Sequence, residues 1–134
     1  MRPYFNRYTD DALDLCDVLG SYVPGAKVKL DEVSKILGLT GKPEGVDGGQ
    51  VEAMVLAGQI EEVARYCESD VLNTYRVWLI YALFRGSITV QELDWSERQI
   101  RDFVATRKSA NPHLCAAVGN CEGYRCKSGV ASCI

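Results

Sequence analysis

Tyr66 and Asp70 stand four residues apart in a segment of helical spacing, which places a phenol and a carboxylate on one helix face. Aspartate is a poor helix-interior residue and gains nothing from capping in mid-helix. A carboxylate held there on a rigid element suits a divalent metal, with the neighbouring hydroxyl able to orient a water. The same spacing equally suits a solvated helix position beside a half-buried tyrosine. Lys42 lies among glycines next to Pro43 and is a candidate contact to a phosphate backbone; an exposed loop lysine that only solubilises is the plainer reading. Cys115, Cys121, Cys126 and Cys133 follow a C-x5-C-x4-C-x6-C spacing, which departs from the paired CxxC pattern of zinc sites. They read as free thiols in an irregular tail. Cys16 and Cys67 read as small buried apolar residues.

The elements that position these groups are mostly helical. Leu30, Val33, Ile36 and Leu37 share a face, with acids in the first turn and Gly38 at the stop. Residues 50–56 form a short helix closed by Gly58. From Ile60 the apolar positions 60, 63, 64, 67, 71, 72, 75, 78, 79, 82 and 83 keep helical spacing for about six turns until Gly86. Ser96-Glu97-Arg98-Gln99 offers a capping box for a helix through about Arg107. Residues 12–19 suit either a short helix or a buried strand running into a helical turn. With at most one or two short strands, the chain reads as mainly α. Residues 1–110 form the helical part of one domain and 111–134 an irregular Cys-rich tail.

The chain of 134 residues fits one domain, and 47% hydrophobic against 25% charged residues supports a packed core. Fifteen basic and eighteen acidic residues give a net charge of −3, which argues against binding nucleic acid by bulk charge alone. No apolar run of membrane-spanning length and no signal-peptide pattern is present, so the cytoplasm is the expected location.

Three segments together resemble a known family. Tyr66-Cys67-Glu68-Ser69-Asp70-Val71-Leu72-Asn73-Thr74-Tyr75 resembles the third motif, Y-x-x-x-D, of DEDDy exonucleases, above all the proofreading exonuclease of family B DNA polymerases. Lys29 to Gly38 followed by Lys42 resembles the segment preceding that motif, and Arg7 to Leu19 the passage after the second motif. The likeness, over residues 5–90, is to bacterial 3′–5′ exonucleases related to that proofreading domain.

The resemblance implies a ribonuclease H-like α/β fold and phosphodiester hydrolysis at nucleic-acid 3′ ends. Four carboxylates would hold two Mg²⁺ or Mn²⁺ ions about 3.5–4 Å apart. Asp70 would be one ligand, Tyr66 would orient the attacking water, and Lys42 would touch a single-stranded substrate, DNA rather than RNA. Asp14 would brace a helix start. No Asp-x-Glu first motif and no second motif precede the matched segments. The chain is therefore expected to be the helical C-terminal part of the fold, without most of the central sheet. Apolar helix faces left without that sheet are expected to drive self-association. The alternative is a catalytically inactive helical module that binds nucleic acid or a partner protein.

Overall fold

A computed structural model describes residues 12–41 and 48–119. All regular structure among the described residues is helical, in agreement with the mainly α reading. In chain order these are α1 (Leu15–Leu19), α2 (Leu30–Ile36), α3 (Val51–Leu56), α4 (Ile60–Phe84), α5 (Val90–Thr106) and α6 (Pro112–Val118), with a 3₁₀ turn at Gly48–Gln50 before α3.

Every other helix except α1 packs on α4, and α5 also meets α6. At 25 residues, α4 runs about 37 Å. Its length comes from unbroken helical spacing and its end from Gly86. There φ is +70°, a conformation open to glycine without strain. The Ser87 amide reaches back to the Ala82 carbonyl (2.8 Å) and the Gly86 amide to Leu83 (2.9 Å), closing the last turn.

The core forms where α4, α5 and α6 meet. Leu79, Ile100, Val104, Leu114 and Val118 are buried together, and Leu72, Ile88, Leu93 and Cys115 pack around them. Full burial of each aliphatic side chain is worth about 1.5–3 kcal/mol. Arg76, 6% exposed, crosses the same junction. Its Nε donates to Glu97 Oε1 at 2.9 Å and its Nη1 to the Ala117 carbonyl at 3.4 Å, so one guanidinium ties α4 to both α5 and α6.

Several boundaries differ from the sequence reading. Residues 15–19 settle as helix, with Asp14 as N-cap accepting from the amides of Cys16 (2.9 Å) and Asp17 (3.3 Å). The α5 helix begins at Val90, not near Ser96. Thr89 and Glu92 form the capping box that is used, and Ser96 lies in the helix interior. The earlier start lets Leu93, Ile100 and Val104 face the core from one helix. The segment 112–118, expected to be irregular, is the packed helix α6, because Leu114, Ala117 and Val118 share a face and are buried. Residues 120–134, which hold three of the tail cysteines, lie outside the described residues.

Cys67 is exposed rather than buried. It belongs to an apolar stripe of α4 turned away from the core, with Ile60 at 57% and Val71 at 67% exposure; Phe84, at 86%, is exposed off this stripe at the last turn of the helix. Trp78, at 38% exposure, also lies on this stripe. It stacks on Tyr75 with ring centroids 5.7 Å apart.

Candidate active site

The α4 helix carries Tyr66 and Asp70 on one edge of its buried face. Both are half-buried. That edge looks toward α2 and α3, the elements flanking the glycine-rich segment between them. The backbone bonds of α4 fix where Asp70 projects, and among the described residues no hydrogen-bond or ion-pair partner engages its carboxylate. The carboxylate is thus held by its helix and left available.

The two ends of the glycine-rich segment reach α4 at Asn73 and at Tyr66. Asn73, three residues further along α4, donates from Nδ2 to the Gly41 carbonyl at 3.1 Å. On the other side, a Cβ placed on Gly48 would lie 3.8 Å from the Tyr66 hydroxyl. Lys42 directly follows Gly41 in sequence but lies outside the described residues.

Asn73 and Arg76 are natural candidates, from their position just beyond Asp70, to brace its carboxylate. Neither does. Asn73 is turned to Gly41, and Arg76, nearly two turns on, points to the opposite edge toward Glu97. At 100° per residue six positions carry a side chain well off the starting face, which accounts for Arg76.

On that opposite edge stands a polar cluster that sequence reasoning missed. His113 Nε2 of α6 lies 2.5 Å from Glu68 Oε2, and Asn111 Nδ2 donates to the same oxygen at 3.3 Å. The residues are more than 40 positions apart, so no local spacing signals their meeting.

A two-ion centre requires several hard oxygen ligands converging on one point. Among the described residues no group of three or more His, Cys, Asp or Glu side chains comes together in that way. Asp70 contributes one carboxylate, and Glu68 is engaged by α6 on the other edge. The described residues therefore do not by themselves fit a pair of Mg²⁺ or Mn²⁺ ions. They present one half-buried carboxylate with a phenol on the same helix edge. No helix among the described residues is long and apolar enough to cross a membrane.

No curated protein and no solved structure matched the chain. Residues 1–120 match the family described as "Predicted 3'-5' exonuclease related to the exonuclease domain of PolB". With nearly the whole of its sequence spanned by that match, from ahead of α1 through α6, the chain belongs to this family of exonuclease-related proteins.

Proposed function

We propose that the chain forms part of a metal-dependent 3′–5′ exonuclease acting on the 3′ ends of single-stranded nucleic acid, DNA in preference to RNA. The observation that carries this reading is the Tyr66–Asp70 pair. The two residues share one edge of the longest helix, and Asp70 is half-buried with no competing partner among the described residues. Membership of an exonuclease-related family supports the reaction class.

In this reading Asp70 is one ligand of a Mg²⁺ or Mn²⁺ pair, which when bound would stabilise the charge on the scissile phosphate. Tyr66, one turn away, holds a water in line. Lys42, next to the anchored Gly41, touches the substrate backbone. The other carboxylates and the sheet of a ribonuclease H-like fold are supplied from outside the described helices. Residues 1–110 together with α6 make up the exonuclease part. The α4 stripe is the face on which a further layer, or a second copy, packs.

The test is made in a longer chain that restores the first two motifs. Asp70→Ala is expected to abolish Mg²⁺-dependent digestion of single-stranded DNA ends, and Tyr66→Phe to cost much less. Full activity in Asp70→Ala would remove Asp70 from the metal site and the reading with it.

A further inference from the structure

Ile60, Ala64, Cys67, Val71, Tyr75 and Trp78 are all exposed on α4, three or four positions apart. That spacing gathers them on one side of the helix over about five turns. Glu68 and Asp70 stand at the two edges of this side, and from Ile60 to Trp78 no charged side chain lies between those edges. An outward helix face ordinarily carries charged residues. This one carries none, and no other helix among the described residues covers it.

The stripe is graded in size about Val71. Four and seven positions before it stand Cys67 and Ala64, both small, and four and seven positions after it stand Tyr75 and Trp78, both large. The two rings stack, with 5.7 Å between centroids and 18° between planes, so they form one raised block. The half toward Ile60 is low by comparison. Each half is therefore the counterpart of the other. A two-fold axis at Val71 that lays a second α4 antiparallel on the first sets Cys67 against the partner's Tyr75 and Ala64 against the partner's Trp78, twice over. Interfaces about a two-fold have to be self-complementary in this sense, and close packing tolerates neither voids nor overlap. A parallel pair in register would set block on block and hold the low halves apart. A foreign partner places no such demand on two halves of one helix, which favours a second copy as the occupant. The alternating spacing of three and four suits two helices packed at a shallow angle.

We infer that the α4 stripe is a homodimer interface, with two copies of the helix packed antiparallel about a two-fold axis at Val71. The inference names the occupant of the stripe and uses neither Tyr66 nor Asp70, so its failure leaves the exonuclease reading standing.

Sedimentation equilibrium of the full chain under reducing conditions tests it, with circular dichroism to check that each variant keeps its helices. The parent should dimerise reversibly as its concentration rises. Val71→Asp places like charges at the axis and should weaken association about tenfold or more. Val71 is 67% exposed in the single chain, so this variant should stay helical. Cys67→Asp and Tyr75→Lys should each be monomeric alone and recover the dimer when mixed in equal amounts, because the antiparallel pair sets the new acid against the new base. In a parallel pair the two changes do not meet. A parent that is monomeric throughout, a dimer indifferent to Val71→Asp, or a mixture that stays monomeric would each overturn the inference.

Discussion

His113 on α6 reaches Glu68 on α4, Nε2 to Oε2, two residues before Asp70 and on the other edge of the same helix. With Asn111 on the same oxygen, this contact fastens the last helix to the element that carries the candidate site. His113→Ala should cost about 1 kcal/mol, since Glu68 is half-exposed and the pair is partly screened. Thermal melts should register a fall of several degrees. Oligonucleotide binding should be unchanged, because the contact faces away from Asp70. A loss of binding at an unchanged melting temperature would place His113 in the site instead.

The Arg76–Glu97 pair should behave differently. Its side chains are only 7% and 18% exposed, and the same guanidinium also holds the Ala117 carbonyl. Removing Arg76 leaves Glu97 with the longer Arg101 contact alone (3.4 Å) and the Ala117 carbonyl without its donor, in the junction of three helices. Arg76→Ala is expected to lose about 3–5 kcal/mol, and Arg76→Met combined with Glu97→Met to recover much of it. Urea denaturation of the three proteins checks this. Equal losses in the single and double variants would show that the pair's charges are not the cause.

At the start of α5, Thr89 and Glu92 bond each other reciprocally. The Thr89 amide donates to Glu92 Oε2 at 2.7 Å and the Glu92 amide to Thr89 Oγ1 at 3.2 Å. The backbone bond first, and the hydroxyl bond second, hold the Glu92 carboxyl below its ordinary value of 4.5. A group whose folded value is depressed stabilises the fold above its unfolded value and loses that contribution as pH falls through the folded one. Acidification from pH 6 should therefore weaken α5 only below about 4.5, and Glu92→Gln should flatten that part of the profile. Thr89→Ala should cost about 1 kcal/mol at neutral pH. Stability profiles of the parent and Glu92→Gln that stay parallel below pH 4.5 would count against the box.

Val104 has no exposed surface and sits among Leu79, Ile100, Leu114 and Val118. Leu79→Ala beside it should cost about 2–5 kcal/mol through lost burial and the cavity left behind. For so small a core that is a large fraction of total stability. A smaller loss, measured by urea denaturation, would show the three-helix junction to be loosely packed.

The long helix was legible because its apolar spacing runs unbroken for 25 residues and stops at Gly86. The shared face of Tyr66 and Asp70 follows from helical geometry alone. The start of α5 was harder because two capping patterns, Thr89–Glu92 and Ser96–Gln99, stand seven residues apart. Only the tertiary placement of Leu93 chooses the first. The α6 helix is seven residues long, too short for periodicity to stand out. Asn73 meeting Gly41 and Glu68 meeting His113 join residues 32 and 45 positions apart, and only packing brings such pairs together.

The uncovered stripe of α4 also bears on how the protein responds to denaturant. Ile60 and Val71 on it, and Phe84 at the end of the helix, already meet water in the folded chain, so unfolding adds little new hydration at these side chains. Denaturant slopes and unfolding heat capacity follow newly exposed area rather than chain length. Both should fall below the usual values for 134 residues, and both should rise when a partner surface seals the stripe.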